Sequence, residues 1–139
     1  MQDVAALVLD AIPVDATAIG GLTMGADGVS FITAGVAATK GRALNAFSVR
    51  KEVKDHGAGG RIAGVLRRGD RVVITEDTVT RGTSLLEAVH AAQEVGADVV
   101  LILALVDRGG TAEAMTAKEG LTFQALFSAP DLGFPYEGA

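Results

Sequence analysis

Apolar residues follow two rhythms along this chain. Between Gln2 and Ile12 they fall at Val4, Leu7, Val8 and Ile12, the spacing of one helix face, and Pro13 ends the pattern. A second helical stretch covers Val29 to Lys40. A third runs from Ser84 to Gly96, with Leu85, Leu86, Val89, Ala92 and Val95 on one side and Gly96 placed as the C-cap. A fourth is short, from Thr111 as a candidate N-cap to about Glu119, with Gly120 as its stop. The intervening runs have strand length: Thr17 to Ile19, Leu44 to Val49, Val72 to Ile74, Asp98 to Val106 and Leu121 to Phe127. Ile62 to Leu66 reads as a short returning strand, and residues 128–139 as an irregular tail. The order α-β-α-β-(hairpin)-β-α-β-α-β predicts an α/β fold, a parallel sheet with right-handed crossovers.

The richest stretch in chemical terms is Arg71 to Ser84, RVVITEDTVTRGTS. An apolar run leads into two adjacent carboxylates, Glu76 and Asp77. A loop of small and hydroxylated residues follows, and then a helix start. Backbone N–H groups of such a loop, together with a helix N-terminus, form a nest for a phosphate monoester. The carboxylates stand where a strand ends, the edge at which open α/β sheets bind ligands. They suit either the hydrogen bonds of vicinal sugar hydroxyls or a hydrated Mg²⁺. A phosphate cradle beside a diol acceptor describes a seat for a ribose 5-phosphate; the plain alternative is a strand-turn-helix with a polar loop.

Two other segments carry charge or glycine. Arg50, Lys51, Lys54, His56 and Arg61 surround Gly57, Gly59 and Gly60. The glycines predict a mobile loop. The cations make it either an anion clamp or a solvated hairpin. Gly20 to Gly28 (GGLTMGADG) is a glycine-rich segment between a strand and a helix, and reads equally as a second anion nest or a tight turn. Asp27, Asp98 and Asp107 read as capping and loop residues, and His90 as structural or solvent-facing.

Composition narrows the class. At 139 residues a single domain spanning 1–139 is expected, large enough for a real core. Hydrophobic residues make up 49% but aromatics only 4%, so Val, Ile, Leu and Ala fill the core, as in a sheet covered on both faces. A net charge of −5 argues against a general nucleic-acid binder. No apolar run reaches membrane-spanning length, and the acidic first residues do not read as a signal peptide. With no cysteine, disulfides and thiolate metal sites are excluded. A cytoplasmic protein without membrane or nucleic-acid partners is expected.

Four segments, in order, resemble one family. ITEDTVTRGTS looks like the phosphoribosyl-pyrophosphate (PRPP) motif of type I phosphoribosyltransferases. R-K-x-x-K-x-H-G, from Arg50 to Gly57, is similar to the catalytic loop of orotate phosphoribosyltransferases, VDRGG (Val106 to Gly110) to their strand-end V-D-R segment, and GGLTMGAD to their pyrophosphate-contacting loop. The resemblance covers most of the chain from about Ile19 to Leu132. It implies a Rossmann-like central parallel sheet flanked by helices, with a flexible catalytic hairpin loop. It implies transfer of the phosphoribosyl group of PRPP to orotate, giving orotidine 5′-monophosphate and pyrophosphate in pyrimidine biosynthesis. Glu76 and Asp77 would bind the ribose hydroxyls, and Thr78, Val79, Thr80, Arg81, Gly82, Thr83 and Ser84 would hold the 5-phosphate. Arg50, Lys51, Lys54 and His56 would grip the pyrophosphate. Thr80 and Arg108 would contact orotate, Arg108 at its carboxylate. Lys54, His56 and Asp77 would be the catalytic residues. Mg²⁺ would be held mainly through PRPP, with no direct protein ligand, and a homodimer with shared active sites is implied. The chain departs from the family pattern in three ways. It is expected to lack the N-terminal hood segment, whose F-x-L-x-S-G-like strand helps hold the base. Arg81 stands where a small residue is usual, and Met24 where some members have Lys. These departures bear on base choice, so a phosphoribosyltransferase for another base and a non-catalytic PRPP sensor stay as alternatives.

Overall fold

The computed structural model describes residues 1–54 and 60–138, the side chain of Lys54 excepted. Helix α1 (Gln2–Ala11) precedes β1 (Ala18–Leu22), α2 (Gly25–Thr39) and the hairpin β2 (Asn45–Lys54) with β3 (Gly60–Gly64). Then come β4 (Arg71–Val79), α3 (Thr83–Val95), β5 (Asp98–Asp107), α4 (Ala112–Lys118) and β6 (Phe123–Ser128), with a 3₁₀ turn at Pro130–Leu132. The six strands form one sheet in the order β3-β2-β1-β4-β5-β6. All neighbours are parallel except β2 and β3.

Alternation along the central strands fills two cores. Val72 and Ile74 of β4 and Ile102 and Ala104 of β5 join Leu85, Ala88, Val89 and Ala92 of α3 on one face. Val73, Leu101 and Leu103 point the other way, with Val8 of α1 and Val29 and Ala37 of α2. These side chains have period 2 and both faces are covered, which explains the unbroken apolar runs. Phe47 of β2 is fully buried, a burial that stabilises by about 1.5–3 kcal/mol. Its ring lies over Gly20, where an added Cβ would come within 2.6 Å of Phe47 Cγ.

Several boundaries differ from expectation, most of them at the carboxyl edge of the sheet; β4 itself runs on through the acid pair to Val79. The glycine-rich segment after β1 is no loop. Gly20 and Gly21 are inside β1, Gly25 opens α2, and only Thr23 and Met24 lie between; the Thr23–Met24 peptide is cis. Arg50, Lys51 and Lys54 belong to β2 rather than to a loop after it, because the strand continues five residues beyond Val49, which pairs with the last residue of β1. A register shift between Val49 and Lys54 accommodates this against the shorter β3. Thr111 does precede α4, but its hydroxyl does not cap the helix. It donates to the carbonyl of Thr80 at 3.1 Å. No helix among the described residues is long and apolar enough to cross a membrane.

Candidate active site

Parallel strands β1, β2, β4, β5 and β6 all end on one edge, and the site is built there. Strand β4 continues through the acid pair: Glu76, Thr78 and Val79 pair with Ala104, Val106 and Asp107 of β5. Glu76 is thereby buried and Asp77 exposed. The Thr78 N–H donates to Asp77 Oδ1 at 2.6 Å. Across from both carboxylates stands Gly25, the first residue of α2. A Cβ there would lie 2.0 Å from Glu76 Oε1 and 2.9 Å from Asp77 Oδ1. Only a glycine lets the helix start approach the pair so closely. The sequence reading included Gly25 in the GGLTMGAD segment but gave it no part beside the carboxylates, although its place in a glycine-rich run three residues after a strand was the available signal.

Past Val79 the chain turns sharply. Gly82 takes φ +80°, and a Cβ on it would meet Met115 Cε at 2.3 Å. No side chain caps the start of α3, so the first N–H groups of the helix stay available to an anion. Glu76, every residue from Thr78 to Leu85, and Glu137 line a cavity of about 410 Å³ around this helix start. Asp107 shapes the facing turn: its Oδ1 accepts from the N–H groups of Gly109 (3.0 Å) and Gly110 (2.9 Å). The next residue, Arg108, lines an adjoining cavity of about 470 Å³ with Val106, Ala129, Leu132, Phe134, Pro135 and Glu137. Arg108 pairs with Glu137, and Thr80 Oγ1 donates to the same carboxylate at 3.4 Å. Glu137 was not foreseen, and nothing in the sequence around it signals this position.

The structure thus brings Glu76, Asp77, Thr78 to Ser84 and Arg108 to one edge. Arg50 and Lys51 lie on the hairpin and line neither cavity. Arg61 braces that hairpin, its Nε donating to the Arg50 carbonyl at 2.9 Å while its guanidinium pairs with Glu87 of α3. The Lys54 side chain and His56 lie outside the described residues. His90 is exposed on α3. Asp27 accepts from Thr23 Oγ1 at 2.7 Å, and Asp98 pairs with Arg71 at 3.2 Å, both loop-tying roles.

Burial, and then the charge of Asp77 alongside, push the Glu76 carboxyl up from 4.5 to about 7. A carboxyl with a raised folded-state pKa favours the fold while it holds its proton. That contribution is complete below pH 4.5 and is lost as pH rises through about 7. At 1.36 kcal/mol per unit the loss reaches at most about 3 kcal/mol. Glu76→Gln should therefore flatten the decline of stability between pH 5 and 8, seen as urea midpoints that no longer fall. A parallel decline in both proteins would mean that Glu76 is not the titrating group.

No family model matches the chain. It is 45% identical over 120 residues to the orotate phosphoribosyltransferase of Streptomyces avermitilis, an alignment covering 86% of this chain and 66% of that one. Its structure matches that of Mycobacterium tuberculosis H37Rv orotate phosphoribosyltransferase in complex with PRPP, with a TM-score of 0.80 and 37% identity, covering 94% of this chain and 74% of that one. The chain belongs to the orotate phosphoribosyltransferase family. Against its curated family relatives it spans 63–66% of their length. Adenine phosphoribosyltransferase from Leishmania tarentolae, at 14% identity and a TM-score of 0.65 over 94% of this chain and 71% of that one, shares the fold alone. The expected type I phosphoribosyltransferase architecture is therefore the observed one, and the basis for a base preference has to be sought in individual residues.

Proposed function

We propose that the chain, as a single cytoplasmic domain, transfers the phosphoribosyl group of PRPP to orotate, releasing pyrophosphate and orotidine 5′-monophosphate. The observation that carries this reading is the cavity enclosed by Glu76 and the Thr78–Leu85 turn at the uncapped start of α3. Its hydroxyls and N–H groups suit a phosphate monoester, and its carboxylate suits a ribose diol. Hydroxyls that donate to Glu76 favour its ionised form, so binding below pH 7 releases a proton. Arg108 supplies a guanidinium at the adjoining, mainly apolar cavity, which favours a flat base bearing a carboxylate over a neutral purine.

Breaking the bond between C1 of the ribose and the diphosphate builds cationic character on the sugar and negative charge on the leaving group. Arg50, Lys51 and Lys54 stabilise that leaving charge, each charge-assisted hydrogen bond contributing roughly 1.5–3 kcal/mol. His56 donates a hydrogen bond or proton to the diphosphate, and orotate N1 closes on C1. The oxygen donors of Glu76 and Asp77 suit Mg²⁺ chemically. Among the described residues no group of three or more His, Cys, Asp or Glu is arranged to hold a metal, and in this reading Mg²⁺ is carried by PRPP. When bound, the ion neutralises diphosphate charge. The deciding assay mixes protein, Mg²⁺, PRPP and orotate and follows the loss of orotate absorbance. Turnover with other bases but not orotate would replace this reading with another phosphoribosyltransferase, and PRPP binding without any turnover with a sensor.

The hairpin serves the neighbouring subunit's site in a homodimer. Mixed dimers of Lys54→Ala and Asp77→Ala, each inactive alone, should then regain about a quarter of wild-type activity, because half the dimers hold one intact site. If each site were complete within one chain, mixing would restore nothing.

A further inference from the structure

We propose that Glu137 is an internal competitor for the base subsite: its carboxylate sits on Arg108 and Thr80, and a base bearing a carboxylate binds by displacing it. This rests on the reading above that Arg108 faces the base. The geometry is specific to the segment after the 3₁₀ turn. The Phe134 N–H donates to the Ala129 carbonyl at 3.0 Å, and the Glu137 N–H to the Arg108 carbonyl at 2.7 Å. Between them the Tyr136 ring packs on Gly110, 3.1 Å from where a Cβ would stand. Backbone bonds therefore hold residue 137 in place, and its side chain delivers one oxygen to Arg108 and the other toward Thr80 at 3.4 Å. A carboxylate on a planar ring would ask for the same two donors, because a guanidinium fork and a hydroxyl beside it are built for paired oxygens.

The surroundings fit a ring. Apart from Arg108 and Glu137, the cavity of about 470 Å³ is lined by Val106, Ala129, Leu132, Phe134 and Pro135. Glu137 also lines the cavity at the α3 start, so it stands at the junction where a base would meet C1 of a ribose. Its ion pair with Arg108 is about half exposed, at 46% and 47% for the two side chains. Pairs of that kind are weak and open readily, so Glu137 can swing away while its backbone stays bonded. The chemical class selected is a flat ring with one carboxylate. A neutral ring gains nothing from evicting Glu137, and the resident ion pair leaves Arg108 no net charge with which to attract one.

The test compares orotate with uracil, the same ring without the carboxylate, by titration calorimetry into wild type and Glu137→Gln with saturating ribose 5-phosphate. Glutamine keeps the backbone bond and the size but removes the charge. Orotate should bind the variant roughly two- to fivefold more tightly, the range an exposed ion pair commands, with uracil affinity unchanged. Equal orotate affinity in the two proteins would overturn the proposal and leave the function intact. Tightening of both ligands would also overturn it, since that reports a loosened segment rather than charge competition. Absence of orotate binding in both would remove the functional reading and this inference together.

Discussion

Lys54→Ala is expected to lower kcat by about 10²–10³-fold, the cost of removing one preorganised donor from developing charge, while KM for PRPP should change by less than about fivefold. The reason lies in when the charge appears. In the proposed reaction, ground-state PRPP already carries its diphosphate charge, which Mg²⁺, Arg50 and Lys51 would share. The extra charge arises only as the C1–oxygen bond breaks, and a contact made only then appears in kcat rather than in KM. Lys54 is the last residue of β2, five residues past the partner of the last residue of β1, and it pairs with Gly60. Steady-state kinetics with PRPP varied at saturating orotate decide the matter. Equal losses in kcat and in 1/KM would mean that Lys54 contributes to binding alone.

Gly109→Ala should be nearly as damaging, for a steric reason. A Cβ at residue 109 would stand 1.8 Å from the carbonyl oxygen of Thr80 and 2.7 Å from its carbon. No side chain can rotate away, because the obstacle is backbone. Either the turn after β5 or the loop after β4 must therefore move, and these two loops carry Arg108 and the proposed phosphate nest. Thr111 ties them together through the same carbonyl. Overpacking of this kind costs about 1–3 kcal/mol of stability, and a displacement near 1 Å costs about 10²-fold in rate. The expected outcome is a folded protein whose kcat/KM for orotate falls by about 10²-fold. Activity within threefold of wild type would show that the two loops need not keep this spacing.

How far such features could be read beforehand depended on whether they are local. The run from Arg71 to Ser84 was legible because strand, acids, hydroxyls, glycine and helix start follow without interruption, and each has a use at a strand end. The apolar strands were legible because both of their faces are covered. The start of α2 was not, since three glycines in six residues suggest a loop, whereas Gly25 opens the helix to let it meet Glu76 and Asp77. The length of β2 was missed because basic residues on an edge hairpin carry no apolar alternation. Thr111 has a capping residue's identity, but its hydroxyl went to a partner 31 residues away. Glu137 depends wholly on the chain folding back across β5, which no periodicity records.

The docking of Tyr136 against Gly110 gives the molecule an optical handle. The chain has no tryptophan and one tyrosine, so its tyrosine emission comes from a single phenol lodged one residue from Glu137. Any event that lifts this segment exposes that ring to water, and the change in emission can be timed by stopped flow without attaching a dye.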